Sequence, residues 1–158
     1  MLELRDVSIF LKDQVLLKAL TLRVAAGEVV TVMGQSGSGK SSLLSYVGGD
    51  LSEAFQAEGS VLLDGIPLQI LPPEKRGIAR LFQDDLLFPH LSVAGNLAFA
   101  LPASVPRPAR ADRVEQALAA MDLPGFGARD PATLSGGQRA RVALARCLLS
   151  DPLALALD

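Results

Sequence analysis

"EVVTVMGQSGSGKSSLLSYVGG" (Glu28–Gly49) runs from a continuous apolar stretch through a glycine-serine turn into a second apolar stretch. Glu28–Met33 has the pattern of a central strand, Gly34–Ser41 that of a loop, and the leucine-rich segment after Lys40 that of a helix. Strand, glycine loop and helix in this order frame an α/β fold. The loop, Gly34-Gln35-Ser36-Gly37-Ser38-Gly39-Lys40-Ser41, matches G-x-x-x-x-G-K-[ST] at every fixed position. Its glycines let the backbone curl so that successive N–H groups converge on an anion, and the positive end of the helix beginning near Lys40 is aimed at the same point. The Lys40 ammonium can reach the outer phosphates of a nucleotide, and the Ser41 hydroxyl can ligate Mg²⁺. Gly34, Gln35, Ser36, Gly37, Ser38, Gly39, Lys40, Ser41 and Ser42 are therefore the candidate nucleotide-binding residues.

Upstream, Leu2 and Leu4, then Val7, Ile9 and Leu11, recur at two-residue spacing, and Leu20, Leu22 and Val24 alternate with Thr21 and Arg23. Two adjacent half-buried strands predict an antiparallel sheet. Downstream, Asp64-Gly65 lies between the apolar runs of "GSVLLDGIPLQIL" (residues 59–71), which is a hairpin signal. After "PPEKRG" and the short buried strand "IARLF", the composition shifts. "LSVAGNLAFAL" and "ARADRVEQALAAMDL" read as helices joined by the linker "PASVPRPAR". Val114, Leu118 and Met121 share one face, and Arg110, Arg113 and Glu115 face water. Residues 86–130 thus form a helical insertion. "TLSGGQRARVALARCLLSDP" is a glycine turn leading a helix with Val142, Ala145 and Leu149 inside and Arg139, Arg141 and Arg146 on a solvated face.

The 158 residues are 49% hydrophobic with a formal net charge of -2. That supplies a buried core, and it leaves no basic surplus of the kind that marks a nucleic-acid-binding domain. No apolar stretch approaches the ~18 to 20 residues that cross a bilayer, and Glu3, Arg5 and Asp6 are unlike a secretory leader. A soluble cytoplasmic protein is expected. The lone cysteine, Cys147, sits among apolar residues and reads as a small core side chain.

"DPLALALD" (Asp151–Asp158) is an apolar run ending on a carboxylate, the pattern of a strand buried on both faces that delivers an acid to a sheet edge. A Mg²⁺-nucleotide site needs such an acid opposite the phosphate loop. Between loop and strand stands Leu134-Ser135-Gly136-Gly137-Gln138, a hydroxyl and two bare glycine N–H groups at a helix start, which is a second anion-binding surface.

With the phosphate loop upstream and the acid-ended strand downstream, LSGGQ resembles the signature motif of the ATP-binding-cassette (ABC) ATPases, and the likeness extends over essentially the whole chain. The resemblance implies a P-loop NTPase (RecA-like) core with an N-terminal antiparallel β subdomain in residues 1–85 and 131–158, and an inserted α-helical subdomain in 86–130. It implies ATP and Mg²⁺ as ligands, with Lys40, Gln83 and Asp158 catalytic and Ser41, Gln83 and Asp158 at the metal. Leu134–Gln138 would close over the ATP of a second copy in a head-to-tail dimer. "LLFPHLSVAGNL" is similar to the region of importer subunits that receives a permease helix, which puts His90 in a loop near that contact. The implied partners are a permease, a solute-binding protein and no nucleic acid, with the protein on the inner face of the cell membrane.

The resemblance places an adenine-stacking aromatic where Leu11 stands, one residue from Phe10. It also places a general-base glutamate directly after Asp158, so the chain is expected to be a fragment, poorly soluble and nearly inactive by itself. Two other readings are a non-transport ABC ATPase, which would carry long insertions and basic surfaces, and a nucleotide-binding module without turnover.

Overall fold

The computed structural model describes all 158 residues, Met1–Asp158, as two compact units, Met1–Ile78 with Asp158 and Ala79–Leu157. The first unit is built on β1 (Leu2–Leu11), β2 (Gln14–Val24), β3 (Phe55–Leu63) and β4 (Ile66–Pro67), in the order β2-β1-β3-β4. All three pairings are antiparallel. The predicted N-terminal sheet is therefore present. Asp64 and Gly65 turn the β3–β4 hairpin with φ of 50° and 81°, the left-handed pair that a two-residue loop requires. The Met1 ammonium pairs with the Asp64 carboxylate.

The spacing from Leu4 to Val7 breaks the two-residue alternation of β1, yet both side chains are buried, at 2% and 0% exposed. A bulge reconciles them. β1 advances from Arg5 to Ser8 while β3 moves only from Ser60 to Glu58, so one extra residue is absorbed and the inward face is restored. Asp6 takes φ 49° there and is held by Thr21, whose hydroxyl accepts from the Asp6 N–H at 3.0 Å and donates to its carboxylate at 3.1 Å. On the facing strand Gly59 has φ 87°, and a Cβ would stand 2.5 Å from the Asp6 carbonyl oxygen. Only glycine fits at that crossing.

Helix α1 (Lys40–Gly48) packs Leu43 and Val47 against Leu4, Val7, Ile9, Val61, Leu63 and Leu68. Its C-terminus ends on left-handed Gly49 and is tied by Arg76, which donates to the carbonyls of Tyr46 at 2.9 Å, Val47 at 3.1 Å and Leu71 at 3.1 Å. Burial lowers the Arg76 pKa, and Tyr46 and Asp50 oppose that shift.

One expected strand is missing. Residues 28–33 form no ladder, and Val29 and Met33 are 89% and 88% exposed. The run has strand composition, but an extended segment becomes a strand only when its N–H and C=O groups meet a neighbour. Neither sheet includes it.

The second unit holds β5 (Ile78–Leu81) paired with β6 (Ala154–Leu157), and helices α2 (Val93–Ala100), α3 (Arg107–Ala120) and α4 (Gly136–Leu149). Val93, Leu97, Val114, Leu118, Val142, Ala145 and Leu149 form its core, the last five as the helical spacing predicts, with Met121 packed at its edge. The linker is shorter than expected. Pro106 stands at the N-cap of α3, and Arg107–Arg110 belong to the helix, because proline is tolerated in a first turn whose N–H groups lack partners anyway.

The expectation of a strand buried on both faces fails for β6. Only Ala156 is buried, while Leu153, Leu155 and Leu157 are 72%, 41% and 57% exposed. Its single neighbour is β5.

The arginines also differ from expectation. Arg110 does not face water: it spans the carbonyls of Ala98 at 2.7 Å, Leu101 at 3.3 Å and Pro102 at 3.1 Å, closing the end of α2. Arg141 donates to the Met121 carbonyl at the end of α3 at 2.8 Å. Carbonyls at helix ends have no intrahelical donor, and long cationic side chains reach them favourably. No helix is long and apolar enough to cross a membrane.

Candidate nucleotide-binding site

The phosphate loop is shaped by its own sequence. Gly37 and Gly39 adopt φ of 79° and 85°. A Cβ at Gly34 would lie 2.7 Å from the Ser38 hydroxyl, and one at Gly39 would press on Leu16 at 3.1 Å. Gly39 is also the N-cap of α1 and brings no capping side chain, and no acid stands in the first turn of the helix. A helix N-terminus of this kind favours an anion.

Lys40 folds over the loop, its Nζ donating to the carbonyls of Gly34 at 2.8 Å and Gln35 at 2.7 Å. This cross-tie holds the curl and keeps the ammonium at its mouth. Beside it the Ser41 hydroxyl donates to Asp158 Oδ1 at 2.8 Å, although the two residues are far apart in the chain. An alcohol oxygen and a carboxylate side by side, next to a cationic N–H nest, are the donor set a metal-bound nucleotide phosphate takes from a protein. Without the phosphate, no cluster of three acids, histidines or cysteines could hold a metal ion. The residues fit Mg²⁺ carried in on a nucleotide, and do not fit a metal held by protein ligands alone.

In the second unit Ser135 is the N-cap of α4, and it forms a capping box with Gln138. The Ser135 hydroxyl accepts from the Gln138 N–H at 3.3 Å, and the Gln138 side chain accepts from the Ser135 N–H at 2.9 Å. Leu134 is buried and anchors the turn, while open space surrounds the Cβ positions of Gly136 and Gly137. Gln83 lines a pocket of about 240 Å³ together with Asp84, Asp85, Gly136 and Arg139. Asn96, fully buried, pins the preceding loop: its Oδ1 accepts from the Phe88 N–H at 2.7 Å, and its Nδ2 donates to the carbonyls of Phe88, Leu91 and Ser92 at 3.1, 3.3 and 3.1 Å. The His90 ring lies 5.8 Å from that of Phe88. Cys147 is buried as expected, its thiol donating to the Arg80 carbonyl at 3.3 Å, and burial raises its pKa.

Sequence reasoning missed the work of Arg139 and Arg146. Arg139 Nε meets Asp85 Oδ2 at 2.8 Å, and Arg146 donates to the carbonyls of Leu86 at 2.8 Å and Asp85 at 3.0 Å. The available signal was their separation by two helical turns, which puts both on one face of α4.

A family profile described as "ABC transporter" matches residues 17–158. The ABC transporter ATP-binding protein YnjD of Escherichia coli (strain K12) is 48% identical over 158 residues, covering 100% of this chain and 73% of that protein. The spermidine/putrescine import ATP-binding protein PotA of Nitrosomonas europaea is 44% identical, and the Fe(3+) ions import ATP-binding protein FbpC of Streptomyces avermitilis 42%. Each is matched over 100% of this chain, which spans 43% and 45% of their lengths. Among solved structures, the dimeric ATP-binding cassette MJ0796 bound to ADP and Pi superposes with a TM-score of 0.83 at 31% identity, over 100% of this chain and 73% of that one. With its phosphate loop, capped LSGGQ turn and cassette fold, the chain belongs to the ABC transporter family and carries its ATP-binding cassette.

Proposed function

We propose that this cassette hydrolyses ATP to drive an importer, working as a head-to-tail pair beneath membrane-spanning subunits on the cytoplasmic face. The observation that carries the reading is the Ser41–Asp158 pair, 2.8 Å apart, beside the loop that Lys40 closes. In this reading residues 1–85 and 131–158 form the nucleotide-binding core with its β subdomain, and 86–130 the helical subdomain. Lys40 exchanges the carbonyls of Gly34 and Gln35 for the β- and γ-phosphate oxygens. Ser41 would be the protein ligand of Mg²⁺, with the Asp158 carboxylate beside it to hold the ion's water shell. Mg²⁺, when bound, neutralises charge on the β- and γ-oxygens. Gln83 orients the water that attacks phosphorus, the water's proton passes to a γ-phosphate oxygen, the bond to the bridging oxygen breaks, and ADP and inorganic phosphate leave. The N–H groups of the Ser135–Gly137 turn close over the partner copy's γ-phosphate, so the pair is tight only before hydrolysis.

The permease contact falls on a groove of about 450 Å³ in the second unit, lined by Arg80, Phe82, Leu86, Phe88, Phe99 and Arg146. Phe88 and Phe99 meet edge to face at 5.0 Å, and Phe99 is 70% exposed. Apolar rings with two cations beside them suit an amphipathic helix that has an acidic edge. The names of PotA and FbpC support import, with a solute-binding protein as the further component.

Purification of the tagged protein from its host's membranes is expected to bring integral membrane subunits with it. Phe99→Asp is expected to cut that yield by about tenfold while Mg·ATP affinity stays within about twofold. Recovery of ribosomal or DNA-bound partners in their place, with Phe99→Asp inert, would overturn the transport reading.

A further inference from the structure

The segment directly after Gln83 is gripped by α4 at several points. Asp85 receives Arg139 Nε at 2.8 Å on one carboxylate oxygen, and its other oxygen accepts from the Leu87 N–H at 3.2 Å. Arg146 holds the carbonyls of Asp85 and Leu86 at 3.0 and 2.8 Å. Between these ties Leu86 takes φ 46°, a left-handed conformation that a leucine keeps only when its surroundings impose it. Arg139 has a second bond: its Nη1 donates at 2.8 Å to the carbonyl of Leu134, the first residue of LSGGQ. One guanidinium thus joins the turn after Gln83 to the turn that presents Ser135 and Gly136.

We infer that Asp85 is a positioning residue for the LSGGQ turn, its carboxylate fixing the Arg139 fork that holds the Leu134 carbonyl. The side chains of Asp85 and Arg139 are 30% and 38% exposed, so the pair contributes little as a bare ion pair. What it supplies is direction. A fork held on one side by Asp85 presents its other N–H to Leu134 in a single geometry, and that sets where the N–H groups beyond it point. A turn that must meet a phosphate on another copy needs this placement before the encounter, since ordering it afterwards subtracts from the affinity. The role in dimer closure rests on the head-to-tail reading; the placement of the turn does not.

The test uses Asp85→Ala, with Asp85→Asn as an isosteric variant that keeps a neutral acceptor. Two measurements separate the inference from the reading on which it draws. Amide hydrogen exchange at Ser135–Arg139 is expected to quicken by roughly fivefold in Asp85→Ala and less in Asp85→Asn, with α2 and α3 unchanged. The dissociation constant of the ATP-dependent dimer is expected to rise by a similar roughly fivefold factor, while the affinity of the monomer for Mg·ATP stays within about twofold, a split that general destabilisation would not produce. Unchanged exchange at Ser135–Arg139, or exchange raised equally throughout the unit, overturns the inference. A wild-type protein that forms no dimer with ATP, while Asp85→Ala still quickens exchange at Ser135–Arg139, removes the head-to-tail reading and leaves Asp85 in its positioning role.

Discussion

Lys40→Ala is expected to lower Mg·ATP affinity by at least about 100-fold, because the ammonium has two tasks at one place. In the proposed site it would take the outer phosphates, and in the nucleotide-free loop it ties the Gly34 and Gln35 carbonyls at 2.8 and 2.7 Å. Without it the loop loses its cross-tie, and two carbonyl dipoles remain turned toward the mouth. Lys40→Arg should not restore binding, since a planar fork on a longer stem cannot replace a compact ammonium inside a loop this tight. Helix α1 itself should persist, alanine being a good helix former, and circular dichroism would register that. Titration calorimetry with Mg·ATP is the measurement. Binding within about threefold of wild type would remove the phosphate loop from the role given to it. Chelating Mg²⁺ should weaken the wild type and have much less effect on Ser41→Ala, because that variant has already lost the hydroxyl proposed to ligate the ion.

Asn96 carries the second large effect, on stability. The side chain is fully buried and fills four hydrogen-bonding positions of the loop before α2. The Phe88 carbonyl would keep the Leu91 N–H and the Ser92 carbonyl the Asn96 N–H, but the Phe88 N–H and the Leu91 carbonyl would lose the amide that meets them. Two stranded groups and a small void place Asn96→Ala at about 3 to 4 kcal/mol. In a domain of this size that is a drop of roughly 10 °C in melting temperature. A shift within about 2 °C would show that the loop finds other partners.

Asn96→Asp adds a sign that can be checked. Its carboxylate could still accept from Phe88, but its other oxygen would face three carbonyl oxygens. The folded state would therefore favour the protonated acid and hold its pKa above the unfolded value of about 3.9. The variant should be nearest to wild type below that pH and lose stability as pH rises through the folded pKa. Because Phe88 lines the groove proposed to receive the permease, both variants should also weaken retention on membranes.

Much of the fold is legible because the signals are local. Asp64-Gly65 marks the hairpin, and the Ser135 hydroxyl with its two glycines the start of α4. Each states a backbone requirement that its own side chain satisfies or relieves, so neighbours in sequence suffice to read it. Residues 28–33 show the limit of such reading. Their composition is that of a strand, but strand formation depends on a ladder partner, and composition does not name one.

The candidate site divides along the same line. Sequence by itself determined the phosphate loop and the LSGGQ turn, because glycine freedom, a lysine at fixed spacing and a capping box are properties of short segments. Tertiary structure alone decided that Arg139 meets Asp85, and that Arg76, Arg110, Arg141 and Arg146 close helix ends and turns instead of facing water. The physical reason is the nature of the acceptors. Most of these arginines bind backbone carbonyls, which every residue carries, so no complementary letter in the sequence marks the partner. Only the folded chain, by leaving particular carbonyls without an N–H donor, determines which ones attract a cation.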